Sequence, residues 1–342
     1  MGKVRFGLVG TGRITDWVLR GAVMDSRFEA VAICSRSEER GRAFADSHGI
    51  PKVYTDIERM CDDPQIDAIY IGTPNHTHAD IAIRCMRRGK HVLCEKPLAS
   101  NAREAEKMVK VARENGVILM EAMISTLSPN FRKAAQLVEK AGPVRRYVAS
   151  FCQYSSKYEA LKRGEVASSF DPLCSGGALM DVGTYTIWPM VALFGEPERI
   201  SPHIMTYDIP GHGLTDLQGS VEFTYPGFNA TVFYSKIADS FILTEISGEG
   251  GNILLDKVHI CRRLTWLPHG APASGRGKDP QPQDLTCPPE KDEYLCEWSE
   301  FIDCVLQGRE SAVNTPDRSV AVMRILDAVR RNAGMKIAVT GQ

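Results

Sequence analysis

The sequence lacks the features that mark a membrane protein, a secreted protein or a nucleic-acid-binding protein. Its longest apolar runs are only as long as a strand, so no segment suffices to span a bilayer. The 41 Lys and Arg residues are balanced by 42 Asp and Glu residues, so no basic excess points to a nucleic acid. The chain enters an apolar strand within three residues of Met1, which leaves no room for a signal or transit peptide. We therefore expect no membrane segment and no nucleic-acid partner.

Cysteine pairs and metal-binding clusters are also missing. The ten cysteines are scattered, and no two of them form a Cys-x-x-Cys pair. In a chain of 342 residues this pattern favours reduced, mostly buried thiols over a disulfide framework. His76 and His78 alternate, but no cluster of Cys, Asp or Glu accompanies them as a metal site requires. The sequence therefore predicts a cytoplasmic protein without a metal site.

What is present, at the very start, is the pattern of strand, glycine turn and helix. Val4–Val9 is an apolar run of the length of a buried parallel strand, and a helical pattern follows the glycines. Gly10 permits a tight turn, and Gly12 has no Cβ to hold a pyrophosphate away from the backbone. The helix N-terminus then presents free N–H groups to the anion. The residues assigned to this phosphate cradle are Gly10, Thr11, Gly12, Arg13 and Ile14.

Two details of this region bear on the cofactor. The third glycine position of the usual pattern holds Thr15, a small but bulkier residue. The end of the second predicted strand, Phe28–Cys34, lacks the acidic residue that holds the ribose 2′-hydroxyl of NAD. A hydroxyl and two guanidinium groups occupy that region instead, and they suit a 2′-phosphate by charge and geometry. These are Ser35, Arg36 and Arg40. Solvated arginines at a helix start are the alternative, but we predict NADP rather than NAD.

Two further strand ends carry polar signatures. Asp67–Gly72 and Lys90–Cys94 are predicted strands, and each is followed at once by a polar turn. Ligands of an open parallel sheet sit outside the carboxyl ends of its strands, so these turns are predicted to join the cofactor site. The residues are Thr73, Pro74 and Asn75 after the first strand, and Glu95 and Lys96 after the second. Six strands alternating with helices over the first ~120 residues predict a doubly wound domain.

Beyond this domain the pattern changes to strands with few helices between them. Helices are predicted at Pro129–Ala141, Ala178–Phe194, Glu293–Gln307 and Asp317–Asn332, with a short one at Lys157–Arg163. Pro268–Glu290 is predicted to be an exposed loop. The predicted strands are Val144–Tyr154, Arg199–Tyr207, Gly219–Tyr225, Asn229–Tyr234, Phe241–Ser247, Asn252–Leu255 and Val258–Leu267. Strands uninterrupted by helices favour an antiparallel sheet.

The predicted fold is therefore an α/β Rossmann domain with a doubly wound parallel sheet, followed by an α+β domain with a mainly antiparallel open-faced sheet. We assign residues 1–122 to NAD(P) binding and residues 123–342 to substrate binding and dimerisation. Gly219–Tyr225 and Asn229–Tyr234 alternate between an apolar face and a mixed Thr/Ser/Phe face. The mixed face has no evident cover within the chain, which predicts a homodimer with sheets packed face to face. A solvated face is the alternative.

Taken together, these motifs resemble the glucose–fructose oxidoreductase/inositol dehydrogenase (Gfo/Idh/MocA) family. The segments that carry the resemblance are Gly10–Gly12, Thr73–His78, Glu95–Pro97, Glu121–Ala122 and Gly177–Tyr185. Within the family the chain is most similar to the dimeric dihydrodiol dehydrogenases, which use NADP and carry Tyr rather than His at the end of the Asp-x-Gly motif.

The resemblance implies that Lys96 and Tyr185 are catalytic with Asp181 nearby, and that Asn75 and His78 line the nicotinamide end of the cleft. Oxidation of a secondary alcohol needs a hydride acceptor and a base, and a lysine ammonium favours the phenolate of a nearby tyrosine. Asp181 and Tyr185 stand four residues apart on a helical pattern, and Asp181 could orient the substrate hydroxyl or the lysine. Each residue also has a purely structural explanation. Lys96 could form an ion pair with Glu95, Tyr185 could be a core aromatic residue, and Asp181 could be an exposed charge on a helix.

The predicted function is hydride transfer between NADP and a sugar, polyol or cyclic diol. A redox sensor that holds NADP without turnover is one alternative, although it would not need Lys96, Asp181 and Tyr185. A biliverdin reductase-like reductase is a second alternative.

Overall fold

The computed structural model describes residues 2–269, 281–335 and 337, and these residues form two compact units. Among them, the first unit comprises 2–124 and 290–324, and the second comprises 125–289 and 325–337. No helix in this part of the chain is both long and apolar enough to cross a membrane.

The first unit contains the predicted doubly wound sheet. Its strands are β1 (Val4–Val9), β2 (Phe28–Cys34), β3 (Lys52–Tyr54), β4 (Ala68–Ile71), β5 (His91–Glu95) and β6 (Leu119–Ala122). They lie in the order β3-β2-β1-β4-β5-β6, and every neighbouring pair is parallel, which confirms the predicted fold class. The order reverses direction between β1 and β4, which pair directly with Val9 opposite Ile71. A cofactor is expected at this switch point, outside the carboxyl ends of both strands.

The helices of the first unit connect these strands and cover the sheet. They are α1 (Arg13–Ala22), α2 (Glu38–His48), α3 (Ile57–Cys61), α4 (His78–Met86) and α5 (Ala102–Glu114), with a single 3₁₀ turn at Asn75–Thr77. Side-chain oxygens of Ser37, Asp56 and Asn101 cap α2, α3 and α5 by accepting a backbone N–H. These caps start each helix at a defined residue and thereby set the ends of the loops that surround the cofactor site. A short helix, α6 (Ile124–Leu127), follows β6.

A helix from the C-terminal part of the chain completes this unit. This helix is α10 (Leu295–Gln307), and its Trp298 side chain is buried in the core of the first unit. The Trp298 ring meets Phe6 edge-on at 5.1 Å between centroids and lies 5.3 Å from Tyr70. The sequence-based division placed this segment in residues 123–342, because no local pattern indicates which sheet a late apolar helix covers.

The second unit is built around an eight-stranded sheet. Its strands are β7 (Val144–Cys152), β8 (Arg199–Ile209), β9 (Gly213–Tyr225), β10 (Phe228–Ser235), β11 (Thr244–Gly248), β12 (Gly251–Leu255), β13 (Leu264–Pro268) and β14 (Gln283–Asp284). They lie in the order β14-β13-β12-β11-β7-β10-β9-β8. Only β7 and β10 pair in parallel among these strands, so the prediction of a mainly antiparallel sheet is confirmed.

Three details of this sheet differ from the sequence-based prediction. The strand expected at Phe241–Ser247 begins only at Thr244, because Phe241 (95% exposed) and its two neighbours point into solvent. The strand expected at Val258–Leu267 is reduced to Leu264–Pro268. Within the loop predicted over Pro268–Glu290, residues 270–280 lie outside the described residues, and β14 pairs with β13.

The helices of the second unit lie before, between and after these strands in the sequence. They are α7 (Pro129–Lys140), α8 (Ser156–Lys162) and α9 (Thr184–Phe194), while α11 (Pro316–Asn332) contributes its C-terminal half. The helix predicted from Ala178 begins instead with a π-helical turn at Leu179–Gly183, and α9 continues from it through the buried Pro189. Such π turns occur frequently at functional sites.

Candidate active site

The glycine turn after β1 is fastened to both neighbouring strands. The Gly10 amide donates to the Cys34 carbonyl at 3.1 Å, and the Gly72 amide donates to the Val9 carbonyl at 2.9 Å. Gly10 has a φ of 103°, and a Cβ at this position would lie 2.7 Å from the Gly72 carbonyl oxygen. No other residue can adopt this conformation in this space without strain, so Gly10 shapes the turn itself.

Gly12 has a different role from Gly10. It is the N-cap residue of α1 with an ordinary φ of -82°, and no side chain in the described part of the chain caps this helix. A Cβ on Gly12 would meet nothing within 4 Å. The open space beside Gly12 and the uncapped N–H groups of α1 are the surroundings that a pyrophosphate requires.

Thr15, which replaces the third glycine, is accommodated by a glycine on the neighbouring strand end. The Thr15 side chain is fully buried, and its hydroxyl has no hydrogen-bond partner among the described residues. A Cβ on Gly72 would lie 2.8 Å from Thr15 Oγ1. The larger residue at position 15 therefore depends on the absence of a side chain at position 72.

A cavity of about 680 Å³ opens beside this turn within the first unit. Its wall includes eight of the residues predicted to bind the cofactor: Gly10, Thr11, Gly12, Ser35, Arg36, Arg40, Thr73 and Pro74. Residues that the sequence analysis did not identify complete the wall, among them Thr55, Ile57, His76, Thr77, Ile81 and Arg84. Thr55 follows β3 and Ile57 begins α3, while the others lie in the 3₁₀ turn (His76 and Thr77) and on α4 (Ile81 and Arg84). No phosphate-binding motif marks any of them.

The charge of this cavity is positive on the side of α2. Arg36 and Arg40 are exposed there, and neither forms an ion pair with any other described residue. Arg84, by contrast, is bound to Glu58 at 2.7 Å. The carboxylate of Asp56, which also lines the cavity, accepts the Glu58 amide as the cap of α3. Two guanidinium groups thus remain available for a phosphate, and the donor set fits NADP.

The structure places His78 away from this cavity wall. Its ring is completely buried, with Nδ1 at 3.0 Å from the Pro97 carbonyl and Nε2 at 2.8 Å from the Thr73 carbonyl. Burial lowers the pKa of His78, while the hydrogen bonds to the two carbonyl oxygens act in the opposite direction. His78 therefore links the loops that follow β4 and β5, and His76 occupies the position on the wall.

The remaining predicted cofactor residues also lie outside the cavity wall. Arg13 is exposed on α1, with its guanidinium 5.7 Å from the centre of the Trp17 ring, and Ile14 is half-buried beside it. Asn75 begins the 3₁₀ turn before α4, and the half-buried Lys96 directly follows β5. Cofactor contacts of these residues stay a prediction.

Glu95 and Glu121 hold the turn after β5 from inside the first unit. Tyr70 donates a hydrogen bond of 2.8 Å to the buried Glu95 carboxyl, and the Leu98 amide donates to Glu121 Oε1 at 3.1 Å. Burial raises the pKa of Glu95, while the charge of Lys96 acts in the opposite direction. The Glu95 side chain therefore supports the position of Lys96, and the structure does not place it on the cavity wall.

In the second unit, Tyr185 lies in the first turn of α9 within a group of three rings. Its ring meets Phe151 at 5.4 Å and His259 at 6.2 Å, both nearly edge-on. Phe151 and His259 stack on each other at 3.8 Å with an angle of 5° between their planes. Burial, with Lys257 and Arg262 nearby, lowers the pKa of His259 to about 4, so the ring next to Tyr185 is neutral. No local sequence motif marks Phe151 or His259.

Asp181 forms an ion pair with a lysine that the sequence analysis did not identify. The Asp181 carboxylate, in the π turn, lies 2.7 Å from Nζ of Lys236, which directly follows β10. Lys236 is 55 positions further along the chain and belongs to no motif. The ion-pair partner of Asp181 could therefore be identified only from the folded chain.

A second carboxylate fastens the same turn to β9. Asp216 is completely buried and accepts the Leu179 amide at 2.6 Å, and burial raises the pKa of its carboxyl to about 6. Gly177 has a φ of 121°, and a Cβ there would overlap with Asp216 Oδ1. The segment from Gly177 to Tyr185 is thus held by Asp216 at its start and by Lys236 in its middle.

A sequence model of the GFO/IDH/MocA oxidoreductase family, with an NAD-binding Rossmann fold, matches residues 4–123, and a model of the family's C-terminal domain matches residues 131–254. The chain belongs to the GFO/IDH/MocA oxidoreductase family. The resemblance noted from the sequence motifs and the prediction of an oxidoreductase are confirmed.

Members of the GFO/IDH/MocA family with known activities align with almost the full chain. The scyllo-inositol 2-dehydrogenase (NADP(+)) of Bacillus subtilis is 38% identical, over 97% of this chain and 98% of the relative. The trans-1,2-dihydrobenzene-1,2-diol dehydrogenase of Sus scrofa is 30% identical, over 97% of each chain. The crystal structure of an aldose-aldose oxidoreductase from Caulobacter crescentus superposes with a TM-score of 0.81 at 25% identity, over 97% of this chain and 98% of that chain.

Proposed function

We propose that this oxidoreductase transfers a hydride between NADP and a secondary alcohol of a cyclic polyol or sugar. The choice of NADP agrees with the cofactor in the name of the scyllo-inositol dehydrogenase relative. The observation that carries the proposal is that Arg36 and Arg40 lie beside the glycine turn without an ion-pair partner among the described residues, and that Ser35 rather than an acidic residue follows β2.

The residues of the first unit hold the cofactor in this proposal. Gly12 and the N-terminus of α1 receive the pyrophosphate, and Ser35, Arg36 and Arg40 receive the 2′-phosphate. When bound, the nicotinamide supplies the acceptor or donor for the hydride. Arg36 and Arg40 favour NADP over NAD because they attract the 2′-phosphate, which NAD lacks.

Side chains of the protein exchange the proton of the substrate hydroxyl in this proposal. We assign proton exchange to the Tyr185 hydroxyl, and we assign to the Lys96 ammonium the charge that favours the phenolate. We assign the orientation of the substrate hydroxyl to the Asp181 carboxylate, whose side chain is partly exposed. The neutral His259 and Phe151 restrict the Tyr185 ring to one side of α9. A redox sensor would not require this set, so turnover is the better explanation of its presence.

We further propose a cytoplasmic homodimer in which the open faces of the second-unit sheets pack together. On β9 and β10, Val221 and Val232 are buried within the chain, while Thr224, Thr231 and Phe233 on the opposite face stay partly exposed. This face offers the flat mixed surface that sheet packing requires. The ten cysteines, all free, support a reducing compartment.

The test is a spectrophotometric screen of NADP⁺ and NAD⁺ reduction with inositols, aldoses and cyclic diols. We expect turnover of at least one cyclic polyol or sugar, with kcat/KM for NADP⁺ ~10-fold or more above that for NAD⁺. Tight NADPH binding without turnover of any substrate in either direction would support the sensor instead.

A further inference from the structure

Lys236 has unusual surroundings for a lysine. Its side chain is only 3% exposed, and Nζ lies 2.7 Å from both the Asp181 carboxylate and the Ser169 carbonyl oxygen. Nζ also lies 4.0 Å from the centre of the Phe170 ring. The ammonium group is thus enclosed by a carboxylate, a backbone oxygen and an aromatic face, each of which favours a cation.

Such an arrangement is costly if it serves only packing. Removal of an ammonium group from water costs several kcal/mol even after relaxation, and apolar residues often replace buried ion pairs without loss of stability. The contacts of Nζ offset part of this cost, but an apolar side chain would not incur it, so the charge of Lys236 indicates a role beyond packing. Asp181 is the partner on which the charge acts most directly.

The ion pair is asymmetric with respect to solvent. Lys236 is buried, whereas the Asp181 side chain is 34% exposed. One carboxylate oxygen is therefore engaged from the protein interior, while the side chain keeps an accessible part. A buried cation that holds a partly accessible anion is the arrangement expected of a positioning residue behind an active-site carboxylate.

We propose that Lys236 is a positioning residue that holds the Asp181 carboxylate ionised and in a fixed orientation toward the substrate hydroxyl. This inference rests on the proposed function, because it takes the role of Asp181 from there. It adds a fourth residue to the set of Lys96, Asp181 and Tyr185. Lys236 contacts Asp181 and acts on the substrate only through it.

Other titratable and charged groups lie near the ion pair of Lys236 and Asp181. Asp216 on β9 interacts with the charges of Lys236 and of Arg330 on α11, and both lower its pKa against the effect of burial. Tyr234 on β10 faces Asp216, and burial raises its pKa well above the ordinary value. Loss of the Lys236 charge would leave Asp181 and Asp216 with less compensation, so the Asp181 carboxyl should become easier to protonate.

The test compares Lys236→Met with Lys236→Arg in the full-length enzyme. We expect Lys236→Met to lower kcat/KM by ~10- to 100-fold and to move the acidic limb of its pH profile upward by ~1 unit. Lys236→Arg keeps the charge and should restore the wild-type acidic limb. NADP affinity, determined by the cavity of the first unit, should be unchanged in both variants.

The double variant Asp181→Asn/Lys236→Met covers the case in which Lys236→Met does not fold, because it removes both members of the ion pair. If Lys236 acts through Asp181, addition of Lys236→Met to Asp181→Asn should change kcat/KM by less than ~3-fold. A further loss of 10-fold or more in that background would overturn the inference. So would a Lys236→Met enzyme with the wild-type pH profile.

Carbon-13 NMR titration separates this inference from the proposed function. The Asp181 carboxyl signal, assigned with Asp181→Asn, should titrate at higher pH in Lys236→Met than in the wild type, even if no substrate has been found. Failure of the substrate screen together with this shift would refute only the proposed substrate class. An unchanged titration would refute the role of Lys236 while the dehydrogenase activity stands.

Discussion

Tyr70 donates a hydrogen bond of 2.8 Å to Glu95, a carboxyl that is nearly inaccessible to solvent. Glu121 and Glu297 are also buried in the first unit, and burial together with the charges of Glu95 and Glu121 raises the pKa of Glu297 well above its ordinary value. Burial therefore makes ionisation of Glu95 and of Glu297 unfavourable in the folded protein.

Replacement of Glu297 by Gln should stabilise the protein in a pH-dependent way. The folded-state pKa is raised, so the cost of Glu297 is absent below the unfolded-state value near 4.5 and grows as pH rises above it. We expect the melting temperature of Glu297→Gln to exceed that of the wild type by ~2 °C or more at pH 8, with no difference near pH 4.5. The exposed Glu114→Gln is the control and should have no effect at either pH. Equal melting temperatures of Glu297→Gln and wild type at pH 8 would contradict the prediction.

Arg36→Asp should shift the cofactor preference from NADP toward NAD. The new carboxylate would repel the 2′-phosphate and could accept a ribose hydroxyl. We expect NADPH affinity, measured by fluorescence titration, to fall by ~10-fold or more, and the preference over NADH to shrink at least as much. Arg42→Asp, on α2 and paired with Glu38, is the matched control. The assignment fails if both variants bind the two cofactors as the wild type does.

The two glycines of the turn should respond differently to alanine. Gly10→Ala forces a positive φ on a residue with a Cβ and pushes it against the Gly72 carbonyl, so we expect a loss of ~1–3 kcal/mol of stability. Gly12→Ala meets no atom within 4 Å and should leave thermal unfolding unchanged while it weakens NADPH binding. Melting curves and fluorescence titrations distinguish the two effects. Gly12→Ala with unaltered NADPH affinity would show that the pyrophosphate binds elsewhere.

Tyr185→Phe should keep the ring among Phe151 and His259 and remove only the hydroxyl. Folding and NADPH affinity should survive, while turnover falls by ~10²-fold, the usual size of a lost general acid–base. Lys96→Met should also reduce turnover, and the double variant should lose little more than either single variant. Near-normal turnover of Tyr185→Phe would make Tyr185 a packing residue.

Phe233→Lys should convert the proposed homodimer into a monomer. The charge would lie on the partly exposed face of β10, where face-to-face sheet packing would bury it. Light scattering at micromolar concentration measures the state directly. Val23→Lys, at an exposed apolar position after α1, is the control and should stay dimeric. A monomeric wild type would refute the dimer.

Much of the first unit could be predicted because its signals are local. The apolar run of β1, the glycines at positions 10 and 12 and the arginines after β2 stand next to one another in sequence. Parallel topology then brings the carboxyl ends of β1 and β4 together without further information. Alternation along β9 and β10 likewise determined which face is buried, because successive side chains of a strand point to opposite sides.

Other features were decided only by tertiary structure, because they depend on contacts between residues far apart in the chain. Trp298 joins the core of Phe6 across almost the entire sequence. His78 sits in a motif, yet its burial between two loop carbonyls follows from how the loops after β4 and β5 approach each other. In the sequence Asp181 is a lone charge on a helical pattern, whereas in the folded chain the ammonium group of Lys236, directly after β10, lies beside it. Local periodicity determines which face of an element is buried, but it carries no information about which distant side chain that face will meet.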